Sequence, residues 1–141
     1  MFYIVYSYNE RNLFMYTRRI LAVLICMLML CSCGEDIKYY KIYDESIVSF
    51  TEALSVRKLI GENITKADDG QTITEAEYSY KSDNPADDKV NYLYYLLNNY
   101  GATFLSDDTV AIDSGDLSFA VIVKITETEQ GFTINLSKKD L

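Results

Sequence analysis

A chain of 141 residues, 49% hydrophobic and 24% charged, has room for one ordinary globular domain and shows neither a disordered nor a collagen-like bias. From Cys33 onward it carries 10 basic and 20 acidic side chains, a net of -10. That acidity repels phosphate backbones and excludes nucleic acid as a partner.

The first element in chain order is a leader. Arg18 and Arg19 precede an unbroken apolar run from Ile20 to Leu30, which ends in Cys31-Ser32-Cys33-Gly34. A positive flank, an apolar core too short for a stop-transfer helix and a small-residue junction make residues 1–32 a secretory signal peptide, with a buried core helix or an uncleaved anchor as the alternatives. Residues 1–14 have no place in that design, so the expected translation start is Met15, which supplies Met-Tyr-Thr-Arg-Arg as the cationic region. The junction Leu30-Cys31-Ser32-Cys33 resembles the lipobox of bacterial lipoproteins: an aliphatic residue, two small ones, and a cysteine that receives diacylglycerol before cleavage. It departs from that pattern in having Cys rather than Ala or Ser at the second position. Cys31 is the weaker acceptor, because Leu30 would then occupy the cleavage position.

The resemblance implies that Cys33 is lipidated and that the membrane is a partner through this anchor. It places the protein on the cell membrane or outer membrane, facing the extracytoplasmic side. Several acyl chains hold far more firmly than one, at about 0.8 kcal/mol per buried CH₂. Gly34-Glu35-Asp36 resembles the acidic export tag of some surface lipoproteins in double-membrane bacteria, yet Gly at that place also suits single-membrane species, and both remain open. Cys26 and Cys31 leave with the signal peptide, so the mature chain has no free thiol and no disulfide. It contains no histidine either. The usual zinc sites, Cys-His nucleophiles and Ser-His-Asp triads are therefore excluded, no cofactor is expected, and a hydrophobic core alone must hold the domain.

Residues 33–46 read as the lipidated cysteine and a tether, short for a linker and not Ser/Gly-rich, with packing of its later half on the domain as the alternative, and 47–141 read as a single domain. Tyr39, Tyr40 and Tyr43 favour packing on the domain's own surface over contact with lipid headgroups. Ser49-Phe-Thr-Glu52 resembles a capping box, and a helix from about 50 would close at Gly61, although Arg57 falls where its apolar stripe should continue; a loop is the alternative. Asp68-Asp69-Gly70 marks a turn. Thr74, Ala76, Tyr78 and Tyr80 then alternate with Ile73, Glu75, Glu77 and Ser79 as a strand with one wet face. Asn84-Pro85 and Gly101 bracket the clearest helix, with Val90, Leu93, Tyr94, Leu97 and Tyr100 as its stripe and Leu96 widening it. Residues 102–105 and 109–112 are short strands. The final hairpin alternates Leu117, Phe119, Val121, Val123 and Ile125 on one strand and Phe132, Ile134 and Leu136 on its partner, with Gly131 in the connection.

This order predicts a small two-layer α+β domain, an antiparallel sheet of about four to five strands with one main helix on one face. No pattern of acid, base and oxyanion groups stands out, so no enzyme is expected. The acidic residues Asp107, Asp108, Asp113 and Asp116 do not match a calcium loop, and no metal site is expected. The function this leaves is a non-enzymatic binding module at the cell envelope, recognising an envelope protein or a glycan, with Tyr78, Tyr80, Tyr92 and Tyr95 as the candidate partner-binding residues. The alternative is a structural or accessory subunit of an envelope assembly machine. An exposed tyrosine cluster would favour the first and an uncovered apolar sheet face the second.

Overall fold

The computed structural model describes residues 37–141; the signal peptide, the lipobox and Cys33 lie outside the described residues. In chain order the elements are β1 (Tyr39–Ile42), β2 (Glu45–Val48), α1 (Phe50–Ala53), β3 (Leu59–Lys66), β4 (Ile73–Lys81), α2 (Pro85–Tyr100), β5 (Thr103–Ser106), β6 (Thr109–Asp113), β7 (Phe119–Thr128) and β8 (Gly131–Asp140). Strands β1 and β2 make a separate hairpin, and the other six form one antiparallel sheet in the order β3-β4-β8-β7-β6-β5. Helix α2 thus carries the chain from near one edge of the sheet to the other, and β5 to β8 return as a meander.

The expected fold class is corrected by these elements. Strands take 51% of the described residues and helices 19%, so the domain is mostly β, with six strands in the main sheet, a two-stranded sheet and two helices. The difference lies in three strands in the first third of the domain, β1, β2 and β3. Residues 39–42 alternate exposed and buried, with Tyr40 and Ile42 fully inside. The segment expected as a tether therefore supplies core side chains, its short period-two pattern being visible only once β2 is there to pair with it. The helix expected from about residue 50 to 60 stops at Ala53. Ser49 caps it by accepting a hydrogen bond from the Glu52 N–H at 3.3 Å, but Gly61 belongs to β3. Strand β3 is an exposed edge with little apolar alternation to betray it.

The other strands follow their alternation. Tyr78 lies opposite Ile134, Val123 opposite Leu136 and Val110 opposite Val123, which collects Ala76, Tyr80, Val121, Ile125 and Phe132 on the same inner face. Leu117 falls outside β7, in a left-handed turn residue at φ 58°. The hairpin, α1 and α2 together cover the inner face. Phe50 links them: its ring lies 4.8 Å from Phe132, 5.6 Å from Tyr92 and 6.0 Å from Tyr80. Tyr40 stacks on Tyr78 at 4.4 Å.

A core this rich in tyrosine must satisfy its hydroxyls. Tyr40 and Tyr80 share a hydroxyl hydrogen bond of 2.8 Å, and the Phe50 N–H donates to the Tyr40 hydroxyl at 3.1 Å. Tyr92 donates to the Val48 carbonyl at 2.7 Å, while the Val48 N–H donates to Tyr100 at 2.8 Å. The hydroxyls thus take up backbone groups of β2 and α1 that have no strand or helix partner. Burial pushes the Tyr40 and Tyr92 phenols far up and Tyr78 up to about 12, so all three stay neutral at physiological pH.

Asp88 in the first turns of α2 is the one buried carboxylate among the described residues. It accepts from Arg57 Nε at 2.8 Å and Nη2 at 3.0 Å and from Ser82 Oγ at 2.6 Å, tying the segment before β3 to the helix. Burial alone would raise its pKa. The Arg57 and Ser82 hydrogen bonds outweigh that, and the net direction is downward. A carboxyl whose folded value is depressed contributes stability above the ordinary aspartate pKa of about 3.9, and loses it as pH falls through the folded value. Urea midpoints measured between neutral pH and about pH 3 should fall with acid, and Asp88→Asn should cost about 2 kcal/mol at neutral pH while flattening that dependence. An unchanged slope in Asp88→Asn would assign the acid sensitivity to other carboxylates.

Candidate functional site

The surface feature that the fold creates lies between α2 and the edge strand β5. A helix with apolar residues on more than one face must leave some of them outside, and α2 does. It buries Tyr92, Leu93 and Leu96 together with Asp88, whereas Val90 is 44% and Tyr94 57% exposed. The buried stripe is therefore rotated by about one residue from the one its spacing suggested. Tyr92 decides the rotation, because its ring meets Phe50 and its hydroxyl reaches the Val48 carbonyl.

Gly101 ends α2 in the left-handed region at φ 62°, and the chain turns directly into β5. In β5 the pairing with β6 slips between Phe104 and Ser106, so Leu105 has no Cα partner. A slip of this kind breaks strict alternation, and both Phe104 and Leu105 end up lining one groove. They are 46% and 52% exposed. Across from them stand Val90, Leu93 and Tyr94, with the Tyr94 ring edge-on to Phe104 at 6.3 Å and 85°. The groove holds about 510 Å³ and has Asp107 in its wall, with no basic residue lining it. Its walls can take apolar side chains; its one charge would meet a cation.

The tyrosines expected to bind a partner are placed elsewhere. Tyr78, Tyr80 and Tyr92 are buried in the core, and Tyr95 is half-buried with its ring stacked 6.4 Å from Tyr92. They form no exposed cluster, and the expectation of a contact surface at these residues is corrected. The strand alternation held the signal: Tyr78 and Tyr80 fall in phase with Ala76, opposite the wet face of Glu75 and Glu77. Tyr94, Phe104 and Leu105 were missed because the helix spacing assigned Tyr94 to the core and β5 to an ordinary short strand.

The sheet's uncovered face is polar. A shallow hollow of about 240 Å³ there is lined by Asn63, Thr65, Glu75, Glu77, Asn135 and Ser137, with Ala76 and Leu136 between them along the strands. Two of the acidic residues near the later turns, Asp108 and Asp116, serve local structure. Asp108 accepts from the Ser106 and Thr109 hydroxyls, each at 2.6 Å, and these bonds hold its carboxyl below the usual range. Asp116 accepts from the Ser118 and Ser114 hydroxyls, each at 2.7 Å, and from the Ser118 N–H at 3.0 Å, which lowers it to about 2. Among the described residues no three acidic side chains come together to hold a metal ion, and no helix is long and apolar enough to cross a membrane. Comparison with protein-family models, with curated proteins and with solved structures gives no match.

Proposed function

We propose that the chain is a bacterial lipoprotein, anchored through Cys33 on the extracytoplasmic side, whose domain works by binding an envelope partner and not by turnover. The observation that carries the binding reading is the groove between α2 and β5, where Val90, Tyr94, Phe104 and Leu105 keep roughly half their surface in water. Leaving four large apolar side chains of one small patch exposed is costly at about 25 cal/mol per Å², and such patches on small domains mark interaction sites. Support for the anchor is the leader itself: Arg18-Arg19, the apolar run to Leu30, and the Cys31-Ser32-Cys33 junction. An uncovered apolar sheet face would favour the accessory-subunit alternative, and the hollow on the uncovered face carries Asn, Ser, Thr and Glu side chains.

Metabolic labelling with palmitate tests the anchor. Cys33→Ser should abolish label and normal processing, whereas Cys31→Ser should keep both. Loss of label in Cys31→Ser alone would move the cleavage site. The binding reading is tested on the purified full-length chain, offered peptidoglycan, glycans and a membrane-protein extract. Retention of one of them, weakened by salt, is the expected result, and hydrolysis of any would overturn the reading.

A further inference from the structure

We infer that the groove between α2 and β5 accepts an extended peptide segment that adds a strand to β5, with apolar side chains entering the groove and a Lys or Arg meeting Asp107. The inference rests on the binding-module reading and names the partner's chemistry. Three observations carry it.

The first is the contrast between the two edges of the sheet. Strand β3 is defended: it carries Glu62 and Lys66, and its pairing slips near both ends. Charges and irregularities of this kind keep an edge from pairing with another chain. Strand β5, Thr-Phe-Leu-Ser, carries no charge, and its only irregularity turns Leu105 into the groove. On its open side, alternate backbone N–H and C=O groups face no strand among the described residues. They can pair with an added strand.

The second observation is the wall beside that edge. A helix standing next to an open edge strand gives an added strand two contacts at once, main-chain hydrogen bonds on one side and side-chain pockets on the other. Val90 and Tyr94 supply the helix side of the pockets, and Phe104 and Leu105 the strand side. The fit is to alternate side chains of an extended peptide, since only every second one points the same way.

Charge complementarity is the third, and it decides between a foreign peptide and a second copy of this chain. Asp107 is the one charged group in the groove wall. From Cys33 onward the chain has 20 acidic and 10 basic side chains, so two copies approaching edge to edge repel. A peptide with a basic residue is attracted instead. A strand of four residues offers few main-chain bonds, so the complex should be transient and salt-sensitive.

Panning random peptides of roughly twelve residues, displayed on phage, against the full-length chain in detergent micelles is the test. The expected hits alternate apolar residues and carry Lys or Arg near one end. A synthesised hit should bind roughly tenfold or more weakly to Leu105→Lys, which charges the edge, and to Tyr94→Ala, which opens the helix wall. Thr126→Lys, on the polar sheet face, should change nothing. Asp107→Lys should remove the preference for basic hits. Hits indifferent to both groove variants, or no enrichment at all, would overturn the inference. So would dimerisation of the chain that Leu105→Lys abolishes, which would make a second copy the occupant. If the groove takes no peptide while another face still retains an envelope ligand, the inference falls and the binding-module reading stands.

Discussion

Gly131→Ala is expected to destabilise the domain by about 3 kcal/mol or more, a large part of what a domain of this size has to lose. Gly131 opens β8 after the two-residue turn from β7, and its backbone lies against β4 where that strand ends. A Cβ built there would stand 2.1 Å from the Tyr80 carbonyl oxygen and 2.6 Å from the Ser82 nitrogen. Both are backbone atoms, so relief requires separating the end of β4 from the start of β8, two interior strands of the sheet. The residue also sits at φ 152°, outside the range that L side chains favour. Gly70→Ala is the matched control: φ is 68°, yet no atom lies within 4 Å of the added carbon. It should cost only the strain of the left-handed conformation, about 1 kcal/mol. Urea unfolding of the two variants separates steric conflict from conformational strain. Equal losses would mean that β4 and β8 are not held together at Gly131.

Phe50→Ala should be similarly damaging, at about 3–5 kcal/mol. Phe50 is fully buried in a single-turn helix that has almost no stability of its own. Its ring touches β4 through Tyr80, β8 through Phe132 and α2 through Tyr92, so its removal leaves a cavity where three elements meet. The loss should spread to the β1–β2 hairpin, because the Phe50 N–H is also held by the Tyr40 hydroxyl. Hydrogen exchange in Phe50→Ala should therefore rise first in Tyr39–Val48, before the six-stranded sheet opens. Leu54→Ala, four residues on and 40% exposed, should change stability by only about 0.5 kcal/mol. Uniform exchange across the domain in Phe50→Ala would show that hairpin and sheet unfold as one unit.

The two expected losses and the proposed groove lie on opposite sides of one design. Buried tyrosines and Phe50 join the covering elements to the sheet, while Val90 and Tyr94 of the same helix α2 stay outside. Variants at Tyr94 or Leu105 should thus alter binding at little cost in folding, which is what makes them usable probes of the groove.

Periodicity in the sequence determined the later strands and α2, because each of these elements buries one face. Ala76, Tyr78 and Tyr80, then Val121, Val123 and Ile125, then Phe132, Ile134 and Leu136 alternate strictly, and Asn84-Pro85 and Gly101 bracket α2 as their conformational preferences require. The leader's chemistry, from Arg18 to Cys33, is likewise a matter of local sequence. The tertiary structure alone decided three things. It made strands of residues 39–48 and 59–66, which are too short or too exposed to show a period and exist through their partners. It set the rotation of α2, since the spacing allowed two stripes a residue apart and only the reach of Tyr92 to Phe50 and Val48 chose between them. It also created the groove, because Val90 and Tyr94 come to face Phe104 and Leu105 through that rotation and through a one-residue slip in β5, neither of which is a local property of the chain.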